Sequence, residues 1–326
     1  MFCLNCGSQL LADAVFCNQC GFPVSKAAPV ATQTVTAESD GYALSPREFI
    51  SPTDETAMRT LQGMGELNRL IQTFANKYGK PWLESGFLGN GVKIGPNQFP
   101  MLFDLAAELG EVFCLQRLPD VYVANLMLTP ISIARTSRSC TIGTDSESFI
   151  VLDARYILPL IEENISLERL RRDPIYFMLA HEFSHVALGH ALYLSVALWI
   201  AEHGPTGLTG LTIRPLIMPL QHWARQAVLS ADRGVLVATG AHEAYRDYLL
   251  TLLMGHPRLA RMMNTDAYLE QLIRIEQGAG RHSEAITNTS PYISRRIAAM
   301  DEYVNDPAYT ALRQRVEAFI ETIRRS

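Results

Sequence analysis

Apolar side chains recur along most of the chain with the spacing of an amphipathic α-helix. After Ser51 and Pro52, which are typical of a helix start, apolar residues follow three or four positions apart until Gly79, and this spacing predicts one helix over that range. Later segments with the same spacing predict helices over residues 98–109, 157–163, 219–239, 242–254, 265–277, 292–304 and 309–324. We therefore expect a mainly helical domain with the apolar stripes in its core.

Short segments with strand character lie between residues 118 and 152. Valine, isoleucine, tyrosine and phenylalanine are concentrated there and are separated by turn residues, which is typical of β-strands. The predicted strands cover residues 121–123, 131–133, 141–143 and 149–152. We expect a small antiparallel sheet, so the predicted fold class is mainly α (α+β). An edge strand of this sheet could bind an extended polypeptide by adding a strand.

The beginning of the chain has a cysteine pattern of its own. Two CxxC pairs, each followed by a glycine, supply four thiolates with the spacing of a tetrahedral structural zinc site. The predicted ligands of this structural ion are Cys3, Cys6, Cys17 and Cys20. The segment is too short for a hydrophobic core, so bound metal would provide most of its stability. Two disulfides are the alternative, which requires an oxidising compartment.

The cysteine pattern and the composition after it divide the chain into three parts. Residues 1–24 are predicted to form a zinc ribbon, which could recruit a partner protein. Residues 25–45 are small and polar, which is typical of a flexible linker. Residues 46–326 contain the predicted helices and strands, so we expect one large domain there. Because four cysteines leave no open coordination position, the ribbon is not expected to be catalytic.

One predicted helix carries the residues of an HExxH motif. Asp173 can accept hydrogen bonds from the first free amides, and Pro174 needs no amide partner, so we expect the helix to begin there and to continue past the motif. Residues four apart share a helix face, so His181 and His185 can bind one metal ion. Glu182 lies beside them, where it can take a proton from a metal-bound water. The pattern predicts a zinc hydrolase; a buried histidine pair with a structural role is the alternative.

Several segments together resemble a known family. The segments LPDVYVANLML and FIVLDARYIL are similar to the strands ahead of the metal helix in HtpX-like and CAAX-prenyl-endopeptidase-like zinc metallopeptidases. HEFSHVALGH matches that family's HExxH followed by Gly-His, and TSPYISRRIAAM resembles its late motif. The resemblance covers residues 118–300. It implies a zincin-type metalloendopeptidase domain with one catalytic zinc ion at His181 and His185, and a polypeptide substrate.

The sequence departs from this family at the third zinc ligand. The family's next helix carries Glu-x-x-x-Asp, in which the glutamate binds zinc and the aspartate supports a histidine. Asp232 occupies the aspartate position, but the ligand position is Val228, which cannot bind a metal. Asp232 could bind the ion directly, since it lies one turn further along the same face. Other candidates for the third ligand are Glu202, His222, Glu243 and His190.

A third interpretation is that the domain binds zinc weakly or not at all. The chain would then be a catalytically impaired peptidase-fold protein that binds polypeptides as a regulatory module. If the enzyme is active, the oxyanion formed during hydrolysis needs a donor besides zinc. The late motif implies Arg296 for this role, and the further candidates are Arg295, Tyr292 and His282. His190 is five residues after His185, so on a continuous helix it would point away from the metal face, which favours packing or the support of a ligand over ligation.

The composition is that of an ordinary soluble globular protein. Of the 326 residues, 48% are hydrophobic and 19% are charged, with a net charge of -5. Nucleic acid is therefore not an expected partner, and the ribbon segment has no Lys or Arg to contact phosphate. No basic segment followed by an apolar core begins the chain, so we expect a cytoplasmic protein. We expect no transmembrane span, because no apolar run reaches 18 residues; weak peripheral membrane contact stays an open alternative.

Overall fold

The computed structural model divides the chain into two compact units, Met1–Glu38 and Ser39–Ser326. It describes residues 44–77, 84–85, 88–126, 138–144, 147–157, 166–203, 214–277 and 290–325. The predicted ribbon, the predicted linker, the predicted strand at 131–133 and most of the predicted helix at 157–163 lie outside the described residues. The predicted domain boundaries therefore stay predictions.

Helices dominate the described part of the second unit, as predicted. They are α1 (Pro46–Phe49), α2 (Pro52–Gln62), α3 (Gly65–Lys77), α4 (Pro100–Val112), α5 (Leu167–Leu170), α6 (Pro174–Ala187), α7 (Ala191–His203), α8 (Arg214–Thr239), α9 (His242–Met254), α10 (Pro257–Ala260), α11 (Thr265–Gln277), α12 (Ile293–Val304) and α13 (Pro307–Arg325). The predictions for α8, α9, α11, α12 and α13 are confirmed within a few residues at each end. The mainly helical fold class is confirmed as well.

The single helix predicted between Pro52 and Gly79 is wrong in one respect. The structure has two helices there, α2 and α3, which are separated at Gly63 and Met64. Glycine is a poor helix former, and the amide of Gly63 closes the last turn of α2. The apolar stripe continues across the break because both helices bury one face. Leu61 at the end of α2 and Leu67 in α3 both lie in the same hydrophobic cluster.

The sheet is mixed, so the prediction of an antiparallel sheet is wrong. Its strands are β1 (Gly91–Lys93), β2 (Asp120–Ala124), β3 (Ser139–Gly143) and β4 (Ser148–Asp153), in the order β1-β2-β4-β3. β3 and β4 form an antiparallel hairpin, and β4 also pairs with β2 in parallel. Strand character in a sequence does not reveal which strands pair. β1 was not predicted, because its three residues lie in a glycine-rich segment.

α6, the helix that carries the HExxH motif, begins at Pro174 as predicted and continues past the motif to Ala187. The Asp173 side chain accepts a hydrogen bond from the Ile175 amide at 3.1 Å. The helix ends at Ala187, and Gly189 adopts a left-handed φ of 68°. The chain then bends by 107° into α7. Since a left-handed residue ends a helix, His190 lies beyond the turn and not on a continuous helix.

No single helix among the described residues is long and apolar enough to cross a bilayer. α6 and α7 have the length and apolar composition of a membrane span only when they are counted together, and the chain bends by 107° between them.

α6 packs against α8, and a glycine permits their close approach. A Cβ atom added to Gly234 of α8 would lie 2.0 Å from Ser184 Oγ and 2.8 Å from Ser184 Cβ. Ser184 belongs to the HExxH helix, and its hydroxyl donates to the carbonyl of Ala180 within that helix at 2.6 Å. Any side chain at Gly234 would therefore push the metal helix away from α8.

Replacing Gly234 with alanine should lower the free energy of unfolding by about 1–3 kcal/mol, because the new methyl group overlaps Ser184. Adding Ser184→Gly should make the double variant less unstable than the sum of the two single changes. Gly65→Ala is the matched control, since nothing lies within 4 Å of its added Cβ. Denaturant unfolding measures all four variants. Strictly additive losses would show that the two helices do not approach this closely.

Candidate metal centre

His181 and His185 lie together on one face of α6. Their ring centroids are 4.8 Å apart, and the ring planes are nearly perpendicular, at 88°. Burial lowers the pKa of His185 well below its ordinary value, and the neighbouring His181, His190 and Arg296 lower it further. His185 is therefore neutral, and the neutral form of imidazole is the one that binds a metal ion.

The Nδ1 atom of each ring contacts a polar neighbour. His181 Nδ1 is 3.1 Å from Asp232 Oδ1, and His185 Nδ1 is 3.0 Å from His190 Nδ1. The contact between His181 and Asp232 is short enough for an ion pair, but the His181 ring is not aligned for a hydrogen bond through Nδ1. Because Nδ1 of each ring faces a polar neighbour, Nε2 is the nitrogen that remains for a metal ion. This arrangement of the two imidazoles fits a zinc site.

Asp232 lies in a buried polar cluster on α8. Its side chain is about 2% exposed. It accepts hydrogen bonds from Arg296 Nε at 2.8 Å, from Arg296 Nη2 at 2.6 Å and from the Tyr245 hydroxyl at 2.6 Å. Burial alone would raise the pKa of Asp232, but the charge of Arg296 and the contacts with His181 and Arg296 hold it below its ordinary value. Asp232 is therefore an anion, held between Arg296 and His181.

Glu182 is buried, and both of its carboxylate oxygens accept hydrogen bonds from β3. Ser139 Oγ donates to Oε1 at 2.7 Å, and Thr141 Oγ1 donates to Oε2 at 2.6 Å. Residues two apart on a strand share a face, so β3 presents both hydroxyls to α6. The sequence analysis missed Ser139 and Thr141. The available signal was a pair of hydroxyl residues two positions apart, of which only Thr141 lay in the predicted strand at 141–143.

His190 lies against His185 because of the turn at Gly189. The amide of His190 donates to the carbonyl of His185 at 3.0 Å, and the amide of Gly189 donates to that of Val186 at 3.1 Å. This pair of bonds is a Schellman motif, which brings the residue after the glycine back over the last turn of the helix. The sequence signal was the glycine in HEFSHVALGH. His190 therefore supports His185 from the side of Nδ1, away from the nitrogen left for a metal ion, although the continuous helix that the sequence analysis assumed ends at Ala187.

The described residues provide no complete metal site. Among them, no group of three or more His, Cys, Asp and Glu side chains is arranged to hold an ion. Val228 is buried in α8 one turn before Asp232. The other predicted candidates are separated: His222 lines an open pocket of about 430 Å³ between α2 and α8, and Glu243 is 81% exposed beside His242. The Glu202 side chain lies outside the described residues.

The remaining candidates for oxyanion binding are placed as follows. Arg296 contacts Asp232 and also donates to the Tyr245 hydroxyl at 3.0 Å. Tyr292 and Arg295 are half-buried at the start of α12, and His282 lies outside the described residues. The sequence analysis missed Tyr245, because a tyrosine within an apolar helix gives no signal of its own.

Comparisons with known proteins extend this picture. A family model described as a zinc-ribbon domain matches residues 2–24, which confirms the predicted N-terminal zinc ribbon. The chain is 24% identical over 277 residues to plastoglobule-localized metallopeptidase 48, chloroplastic, from Arabidopsis thaliana, and the match covers 82% of this chain and 75% of that protein. No solved structure matches. The chain thus combines a zinc ribbon with similarity to a protein named as a metallopeptidase.

Proposed function

We propose that this protein is a zinc-dependent metalloendopeptidase with Glu182 as its general base. The observation that carries the proposal is the geometry of α6, where His181 and His185 share a face and both contact polar neighbours through Nδ1. The similarity to a metallopeptidase supports it. A polypeptide substrate follows from that similarity.

Zinc would be held by Nε2 of His181 and Nε2 of His185. When bound, zinc supplies a water of lowered pKa and polarises a carbonyl group. A catalytic zinc site usually has three protein ligands, and the described residues supply two. We propose that the third comes from the rest of the chain, where Glu202 is the candidate that the sequence analysis named. A structural zinc ion would occupy the four ribbon cysteines.

Glu182 would accept a proton from the attacking water and transfer it to the leaving amine. For this it must keep one orientation through both transfers. The hydroxyls of Ser139 and Thr141 supply that constraint, since each binds one carboxylate oxygen. A carboxylate can accept about four hydrogen bonds, so both oxygens keep capacity for the proton.

Asp232 and Arg296 would position His181 and would not contact the substrate. The Asp232 carboxylate faces Nδ1 of His181, which is on the side of the ring away from Nε2. We therefore propose that Asp232 orients His181 and does not bind the metal ion itself. Orientation of a histidine is the role that the family resemblance implied for Asp232. Arg296 donates from Nε and Nη2 to Asp232, and from Nη2 to the Tyr245 hydroxyl. We therefore propose that Arg296 positions Asp232 and does not bind the oxyanion.

An extended substrate would bind along β3 at its Ser139 end, because the outward backbone groups of Gly143 at the other end are bonded to Ser195 Oγ of α7. No further strand follows β3 in the sheet formed by the described residues. Arg138 and Thr144, just before and just after β3, form backbone hydrogen bonds with residues on the β4 side of the hairpin. Because the direction of backbone hydrogen bonding alternates along a strand, the backbone N–H and C=O groups of Ser139 and Thr141 point away from β4. The same two residues hold Glu182 with their side chains. A polypeptide paired with this edge would therefore lie close to the proposed general base.

Zinc content per chain tests the proposed site. We expect about two zinc ions in the full-length protein, one after His185→Ala, and one after Cys3→Ser with Cys6→Ser, because the two sites are independent. Elemental analysis of the purified variants gives these numbers. If the full-length protein holds one zinc ion and His185→Ala leaves it in place, the domain has no catalytic zinc. The chain would then be a peptidase-like protein that binds polypeptides without cutting them.

A further inference from the structure

A buried chain of contacts leads from His185 to a carboxylate in α2. His185 Nδ1 is 3.0 Å from His190 Nδ1, and His190 Nε2 is 3.3 Å from Asp54 Oδ2. Asp54 and His190 are at most 1% exposed. The described residues provide no aligned hydrogen bond to either carboxylate oxygen of Asp54. A fully buried carboxylate with no other close partner is costly unless it has a task there.

We propose that Asp54 and His190 are positioning residues that hold His185 in the tautomer with its proton on Nδ1. This inference rests on the proposed zinc site, because its consequence is that the lone pair of His185 is on Nε2. Asp54 lies outside residues 118–300, where the family resemblance runs, and the sequence analysis treated it only as part of a helix start.

The proton positions follow from the donors and acceptors in the chain. Zinc ligation at His185 Nε2 places the proton of His185 on Nδ1, and the acceptor for it is His190 Nδ1, so the proton of His190 is on Nε2, which lies 3.3 Å from Asp54 Oδ2. A close contact between two Nδ1 atoms needs one donor and one acceptor, and this assignment supplies both. Each ring thus determines the tautomer of the next.

Three structural features hold this chain in place. The Schellman turn at Gly189 places His190 over His185. The indole of Trp223 packs edge-on against the His190 ring, with centroids 5.4 Å apart at 89°. The Ser51 amide, at the start of α2, donates to Ser230 Oγ of α8 at 2.9 Å and so ties α2 to the helix that packs on α6. α2 thereby brings its carboxylate to the metal helix.

Asp54→Asn is the sharpest test, because it changes the direction of the hydrogen bonds with little change of shape. The asparagine amide can donate to His190 Nε2, which moves the His190 proton to Nδ1 and the His185 proton to Nε2. We expect histidine ¹⁵N spectra of the zinc-free full-length protein to show Nδ1–H at His185 in the wild type and Nε2–H in the variant. Zinc affinity at the His181 and His185 site should fall about 10- to 100-fold.

Two further variants make the result specific. Asp301→Asn is the matched control, since Asp301 binds His242 Nε2 at 2.8 Å in a separate pair, and it should leave zinc affinity unchanged. His190→Gln keeps an acceptor for His185 and should retain more zinc affinity than His190→Phe, which has none. If the zinc-free wild type carries the His185 proton on Nε2, or if neither Asp54→Asn nor His190→Phe changes the tautomer, the proposed positioning is wrong. The tautomer is read from the protein itself, so it tests this inference even if the zinc measurement contradicts the proposed function.

Discussion

Glu182→Gln should lower kcat for polypeptide cleavage by about 10²- to 10⁴-fold and leave the zinc content of the protein unchanged. Glutamine has nearly the same shape as glutamate, and its carbonyl oxygen can still accept one hydrogen bond from Ser139 or Thr141. It cannot take a proton from water. The rate of cleavage of a loosely folded protein substrate, together with elemental analysis, measures both parts of this expectation.

Glu243→Gln is the control for this substitution. The Glu243 side chain is 81% exposed, so its replacement should change neither the cleavage rate nor the zinc content. A Glu182→Gln protein that cleaves at the wild-type rate would overturn the assignment of the general base. If Glu182→Gln loses zinc together with activity, the Glu182 carboxylate is needed for zinc binding, and the loss of activity is then not evidence for proton transfer.

Arg296→Met should lower the free energy of unfolding by about 3–5 kcal/mol, because it leaves the Asp232 carboxylate buried without its cation. Asp232 accepts two hydrogen bonds from Arg296, and its remaining contacts, with Tyr245 and His181, do not replace the lost charge. Chemical denaturation of the zinc-loaded wild type and variant measures the difference.

The same experiment has an internal control and a rescue. Arg59→Met removes the cation of the pair with Glu55 on α2, where the Arg59 side chain is 72% exposed, and it should cost no more than about 1 kcal/mol. Adding Asp232→Asn to Arg296→Met should recover part of the loss, since no buried charge then lacks a partner. A loss below about 1 kcal/mol for Arg296→Met would mean that water reaches Asp232 in solution.

Local sequence patterns predicted much of the helical framework. The spacing of apolar residues located α8, α9 and α11, and the Asp173 and Pro174 pair located the start of α6. These features depend on neighbours within about four residues, so they can be recognised in a single sequence. The break at Gly63 was missed for the same reason, since two consecutive helices that bury one face continue a single apolar stripe.

The candidate site was predicted only in part. The four-residue spacing of His181 and His185 requires nothing beyond a helix, and the family resemblance named Asp232 and Arg296. The contact between Asp232 and Arg296 joins residues 64 positions apart, and it changes the role that we assign to each. Single-sequence patterns carry no information about such a pair.

The sequence by itself therefore determined most of the long helices, the HExxH face and the N-terminal zinc ribbon, because each follows from residues that are close along the chain. Only the tertiary structure decided the pairing of β4 between β2 and β3, the contacts of Ser139 with Glu182, and the approach of Asp54 to His190. These contacts join segments that are far apart in sequence and meet because their apolar faces pack together. His190 depended on both levels, since a local glycine turns the chain and α2 supplies the carboxylate that it meets.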